Sequence, residues 1–402
     1  MSESINTTLD TGLSHEMVTF YSDYLIDNAV PKLVHDQFGQ KHPIPKNGGK
    51  TIQFRRYSPL PKATVPLTEG VTPDGQKLEV STVESTVRQY GRYIELSDML
   101  VMTSIDNNVL QATKLLGNQA GATLDTITRE VLNGGTNVQY AEGQVNSRDQ
   151  LVGGQESGNH YMTVEAIRLA ARYLKTQNAE KIGDSYVAII HPDVAYDLMH
   201  DPAWQNVKTY CDPEDMYAGE IGRIAGVRFV ETTEAKIFKG RPLLENKTLT
   251  VRTANGTGST AVTLNESLTV SEGEKLIGRK ININGQIRTI VNTVNGGVGS
   301  ARLTVDQITV LEAGDEIRPG EGGRDNRAVY ATLVLGENAY GVTEIQGGGL
   351  RHIVKQLGSS GTADPLDQRA SCGWKATRTA ERLVEPFMVR IETCSSFDGE
   401  EN

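Results

Sequence analysis

Apolar side chains recur as Ile105, Val109, Ala112, Leu116, Ala120, Leu124, Ile127 and Val131. Steps of three and four put all eight on one face of a helix. Ser97 or Asp98 caps its approach, and Asn133-Gly134-Gly135 ends it. Seven turns at 1.5 Å per residue make a rod of about 40 Å. Whatever the fold, it must offer this rod a long apolar partner surface. Gly117 and Gly121 lie inside it, each costing about 1 kcal/mol relative to alanine. Their spacing of four predicts a close approach by another backbone.

The segment before the rod is extended. Thr51 to Tyr57 reads as a strand, and Leu78 to Leu96 is a second run rich in Val, Thr and Tyr. Between them stand Pro59, Pro61, Pro66, Gly70 and Pro73-Asp74-Gly75, all turn chemistry. The pattern predicts a long β-hairpin with too little apolar content to form a core alone, so it needs a partner surface. Arg55, Arg56 and Lys62 make a small basic cluster beside its tip. They are the candidate intersubunit contacts, reading an acidic neighbour; the plain alternative is a solvated edge that blocks unwanted pairing. Residues 1–12 are a polar arm, and a helix is expected from Ser14 until Pro31 limits it.

After the rod and a polar loop at 136–160, a helix is expected from Val164 to about Gln177, opened by Thr163. A buried strand follows, Tyr186-Val-Ala-Ile-Ile190, then His191-Pro192-Asp193, where the proline suits the first turn of another helix. A second strand lies at Val227–Val230, a return strand at Tyr330–Leu335 and a last one at Phe387–Glu392. This body is α/β with a mixed sheet. Residues 346–363 read as a Gly/Ser loop with Ile353, Val354 and Leu357 in a short apolar stretch, and the tail from Ser395 is polar and acidic. Between Lys239 and Ala328 there is no aromatic residue, where a 6% aromatic chain should place about five. Short β-prone runs alternate there with Gly and Asn turns, and Asn284-Gly285 is a strong two-residue hairpin signal. The window predicts a small all-β module, a compact barrel inserted into the parent sheet.

Forty basic against fifty acidic residues give a net charge of −10. A protein that grips nucleic acid by releasing counterions carries a basic excess, so tight phosphate binding is not the first reading. No run of about 18 apolar residues is present to cross a membrane, and Met1–Asn6 has no basic and apolar regions of a secretory signal. Three scattered cysteines, Cys211, Cys372 and Cys394, fit free thiols rather than a disulfide framework. Gly49-Lys50-Thr51 mimics the end of a phosphate-binding loop, but Ile44 stands where its first glycine belongs and a strand follows. No His-x-x-x-His, Cys-x-x-Cys or Gly-x-Ser-x-Gly motif occurs. The expectation is no enzyme, no cofactor and no metal, with no catalytic residue to assign.

The order of elements resembles the major capsid proteins of tailed bacteriophages, of the Hong Kong 97-type fold. Several stretches are similar to the coat-protein family typified by phage N-four: Tyr186–Asp193, Gly219–Glu231, Asp364–Lys375 and Met388–Glu392. The resemblance implies an α+β chain with an N-terminal arm (1–20), an extended β-hairpin loop (46–96) and a peripheral domain with a long spine helix (97–185). It also implies an axial domain (186–240 and 328–363), and a C-terminal return strand of the peripheral domain with a tail (364–402). The inserted all-β domain (241–327) lies outside the resemblance. The implied function is self-assembly into hexamers and pentamers of an icosahedral head that encloses double-stranded DNA without sequence-specific binding. The implied partners are further copies of the chain, a separate scaffolding protein, a portal and a decoration protein, with no membrane. The implied locations are the virion capsid and, during assembly, the host cytoplasm. An encapsulin-like compartment shell on the same fold is the rival reading, and a soluble enzyme with a β lid is the second.

Overall fold

The rod finds its apolar partner in one long strand. The structure, a computed structural model, describes residues 34–57, 60, 62–66, 69–70, 72, 75–103, 108–154, 158–205, 222–245, 247–284, 286–355, 357 and 365–402. The expected arm, the helix from Ser14, Ile105 and Cys211 lie outside them. The chain divides into two units: residues up to Gly134 with Asn338–Glu385, and Gly135–Glu337 with Pro386–Asn402. Segments 97–185, 328–363 and 364–402 each contribute to both units, because successive strands pair with different sheets.

In the first unit, the helix Asn108–Asn133 sets Ala112, Leu116, Ala120 and Leu124 against Cys372, Trp374 and Ala376 of the strand Arg369–Arg382. The Trp374 indole N–H donates to Gln119 Oε1 at 3.2 Å. A shorter helix, Asp98–Thr103, precedes it; Ser97 Oγ accepts from Leu100 N at 3.2 Å. Arg369–Arg382 is paired along both edges. Arg88–Ser97 runs antiparallel to it over ten residue pairs, while Arg351–Lys355 and Tyr340–Thr343 share its other edge. Gln40–Lys41 adds a short parallel strand on Tyr340–Thr343.

Two differences from the sequence reading have physical causes. Past Leu124 the buried face of the rod turns polar: Asp125, Thr128 and Arg129 are buried, while Ile127 and Val131 are half-buried. The segment around His35 occupies that face. Asp125 accepts from His35 N at 2.8 Å and lies 2.7 Å from its Nδ1, Thr128 Oγ1 donates to Asp36 at 2.6 Å, and Arg378 pairs with Asp36. Buried polar groups survive only with such partners. Second, a Cβ at Gly117 would meet open space, so no backbone approaches there. Close approaches do occur in the ladder. A Cβ at Gly91 would lie 2.6 Å from the Trp374 carbonyl oxygen. Backbone cannot retreat from a ladder, so Gly91→Ala is expected to cost about 1–3 kcal/mol, read as a lower urea midpoint. An unchanged midpoint would show that the ladder yields there.

The second unit holds a mixed sheet in the order Val138–Tyr140, Met388–Thr393, Val329–Leu335, Tyr186–Ile190, Val227–Glu231, Arg223–Ile224. Tyr186–Ile190 and Val329–Leu335 are buried at every residue, as continuous apolar runs require when both faces are covered. The helices Val164–Thr176 and Pro192–His200 supply Ile167, Ala170, Leu174, Val194 and Leu198 to that core. Thr163 Oγ1 caps the first helix by accepting from Ala166 N, and His191 caps the second by accepting from Asp193 N.

Residues 249–319 form a separate six-stranded sheet: Leu249–Thr250, Glu316–Pro319, Lys280–Ile283, Gln286–Val294, Arg302–Leu311, Asn255–Thr263. A Val251–Leu264 bridge links its two ends, so the sheet closes on itself around Leu264, Leu276, Ile281, Ile290 and Leu303. Asn284, at φ 52°, stands in the predicted two-residue turn. The module is not all-β. The helix Val270–Leu276 opens on a capping box, with Thr269 and Glu272 bonding each other's backbone N–H. The strand at Asn255–Thr263 starts earlier than turn-like Asn255, Gly256 and Gly258 suggest, because register shifts absorb the glycines. Asn326 donates to and accepts from the Gly240 backbone at 2.7 and 2.9 Å. The two strands connecting the module to the parent sheet pair there, Ile237–Phe238 with Val329–Tyr330.

Candidate intersubunit surface

Thr51–Tyr57 and Val80–Thr86 pair antiparallel over seven residues, Phe54 opposite Val83 and Arg55 opposite Thr82. Directly opposed residues share a face. Ile52, Phe54, Val83 and Ser85 form the covered row; Thr51, Gln53, Arg55, Thr82, Glu84 and Thr86 form the exposed one. Two contacts fix the hairpin's root. Ser85 Oγ lies 2.7 Å from Thr379 Oγ1 on the long strand. The Phe54 ring lies over Gly341, where a Cβ would come within 3.0 Å of it. Beyond the root the chain is bare. Leu60, Val65 and Leu78 are 54%, 82% and 68% exposed. Aliphatic groups held this far into water, on a segment without a core, are groups in want of a partner surface.

Arg55 and Lys62 are exposed, the first on the outer row and the second in the tip. Neither has an acidic partner among the described residues. Arg56 lies opposite Ser81 in the ladder, but its side chain is outside the described residues.

Sequence reasoning missed a second surface. Arg351–Lys355, expected as loop, is a strand whose five residues are all exposed; it pairs with Ser371–Lys375 and, among the described residues, has no strand on its outer edge. That edge offers N–H and C=O groups unpaired among the described residues, flanked by exposed Leu350, Ile353 and Val354. The β-branched pair Ile353-Val354 was the available signal, masked by the surrounding glycines.

The chemistry-bearing residues of the second unit are tied to one another. Tyr330 O–H donates to Asp193 Oδ2 at 2.7 Å, and Gly399 N donates to the phenol oxygen at 2.9 Å. Burial, with the bond to Asp193, pushes the phenol well above its ordinary range, and burial holds His191 below the usual imidazole value. The acidic tail is docked: Ser395 and Ser396 donate to Asp197, and Asp398 and Glu400 pair with Lys239. Cys394 is buried, which pushes its thiol up to about 12, and Cys372 is buried also. Among the described residues, no three His, Cys, Asp or Glu side chains gather to hold a metal.

Comparison with known proteins bears on this arrangement. Residues 79–236 match a family model described as phage capsid protein. No curated protein matches the chain in sequence. Its fold is similar to the capsid of Ralstonia phage GP4, at TM-score 0.56 and 12% identity over 100% of both chains. The capsid of cyanophage P-SCSP1u gives 0.55 at 12% identity, over 98% of this chain and 97% of that one. The capsid of cyanophage Pam1 gives 0.55 at 11%, over 98% and 100%. Residues 79–236 thus carry the signature of a phage capsid protein family, and the chain has the fold of phage capsid proteins.

Proposed function

We propose that the chain builds the wall of an icosahedral tailed-phage head by assembling into hexamers and pentamers around double-stranded DNA. The observation that carries this reading is the bare hairpin tip, rooted by Phe54 on Gly341 and presenting Leu60, Val65 and Leu78 to a neighbour. A shell closes through large contacts shared among several copies, and such a hairpin supplies them. On the Hong Kong 97-type plan, 46–96 is the extended loop and Asn108–Asn133 the spine of the peripheral domain. The Tyr186–Ile190 sheet is then the axial domain, and the closed module at 249–319 an insertion that adds contacts. Arg55, Arg56 and Lys62 meet acidic groups of the next copy. A separate scaffolding protein, a portal and a decoration protein complete the assembly, which takes place in the host cytoplasm.

The test is the assembled mass of the full chain, by light scattering on a sizing column with electron micrographs of the peak. Five- or six-membered rings, sheets or closed shells are expected. A uniform monomer or dimer at high concentration, persisting when phage lysate components are added, would overturn the reading.

A further inference from the structure

One groove of the second unit departs from the acidic character of the chain. Arg168, Arg172 and Lys175 stand at i, i+4 and i+7 on the exposed face of the helix Val164–Thr176, opposite the buried stripe of Ile167, Ala170 and Leu174. They line an open groove of about 660 Å³ whose far wall is the turn at Ala225-Gly226; among the described residues no acidic side chain is in its lining. That turn joins Arg223–Ile224 to Val227–Glu231. Arg168 has an exposed ion pair with Glu165 at 3.6 Å, a contact worth little in water. Arg172 and Lys175 have no acidic partner among the described residues. The helix dipole favours a cation in the last turn, which accounts for Lys175 but not for Arg172 one turn earlier. Three cations line this groove.

We propose that this groove takes the phosphate backbone of double-stranded DNA and is the patch by which the shell wall meets its packed genome. The inference rests on the capsid reading above. Its occupant follows from the chemistry of the lining. Among the described residues the rest of the lining is Ala171, Thr176, Ala225 and Gly226, with no aromatic or methionine anchor of the kind that dominates protein interfaces. Donors on long stems reach phosphates without reading bases. Seven residues of helix span about 10 Å, the rise of roughly three nucleotides of one strand. A net charge of −10 repels DNA from the rest of the chain. A few cations on one face therefore select which side of the wall touches the genome, and the contact is weak enough to let it move.

The test is binding of a random-sequence 30-base-pair duplex to the full chain by fluorescence anisotropy, as a function of salt. Each cation on a phosphate contributes about 0.9 to the slope of log affinity against log salt. Arg172→Gln with Lys175→Gln is expected to reduce the slope magnitude by about 1.8. Lys275→Gln with Lys280→Gln, on the closed module, is expected to leave it unchanged. No salt-dependent binding by the parent, or the same slope in the Arg172/Lys175 variant, would overturn the proposal. So would a polyglutamate probe whose binding, unlike that of DNA, is lost in that variant, since the groove would then serve an acidic polypeptide. The assembled mass is measured on the same samples. Failed assembly counts against the capsid reading, whereas normal assembly with an unaltered DNA slope counts against this inference alone.

Discussion

The protein carrying Glu392→Gln unfolds at a markedly lower urea concentration than its parent, with an expected loss of about 3–5 kcal/mol. Glu392 is fully buried in the central sheet of the second unit. Its carboxylate accepts from Arg148 at 2.7 and 2.6 Å, a two-pronged contact, and from Arg390 at 2.8 Å. Arg148 also stacks on the Phe238 ring, 3.5 Å from its centre. Glutamine keeps the volume and one acceptor oxygen but removes the charge that both guanidiniums share. Arg390 is 9% exposed and has little water to turn to, while Arg148, at 24%, keeps some. The penalty is that of two stranded cations rather than of one lost bond, so replacing all three by apolar residues of similar volume should recover much of it. The two tryptophans of the chain, Trp204 and Trp374, lie buried in different units. Fluorescence of a Trp374→Phe background follows the affected unit alone. A midpoint within error of the parent would mean that water or rearrangement neutralises the site.

Removing residues 59–75 should abolish closed shells while leaving each copy folded. The cut keeps Phe54 on Gly341 and Ser85 on Thr379, so both contacts that root the hairpin survive. The remaining connection, Ser58 and Gln76 to Glu79, has five residues, enough to join antiparallel strands. The described residues that are lost are exposed, Leu60, Val65 and Lys62 among them. Little change in urea midpoint is expected, together with a drop in assembled mass to small species. Normal particles from this variant would remove the hairpin from the list of contacts that hold the shell.

The long helix, the hairpin, the buried strands and the closed module were legible because each follows a local period or turn rule. Thr163, Pro192 and Asn284 act where capping and turn chemistry place them. What could not be read was decided by distant partners. The buried polar end of the rod depends on His35 and Asp36, about ninety residues away in sequence. The strand Arg351–Lys355 forms because Ser371–Lys375 offers it an edge, against the glycines around it. The basic groove escaped notice because Arg168, Arg172 and Lys175 look like the solvated face of an ordinary helix until the Ala225-Gly226 turn is set beside them. The docking of the polar, acidic tail could not be read either, since its acids find Lys239 only in the folded chain.

The way the hairpin joins the body has a mechanical consequence. Its second strand, Val80–Thr86, runs through buried Val87 straight into Arg88–Ser97, the strand that pairs over ten residues with Arg369–Arg382. A neighbour tugging on the tip therefore pulls along that strand's axis. The load falls on many rungs in shear, so they resist together; a pull across the sheet would peel them apart one at a time. A wall strained by the pressure of its contents can thus pass tension from copy to copy through its thinnest element without tearing that element out.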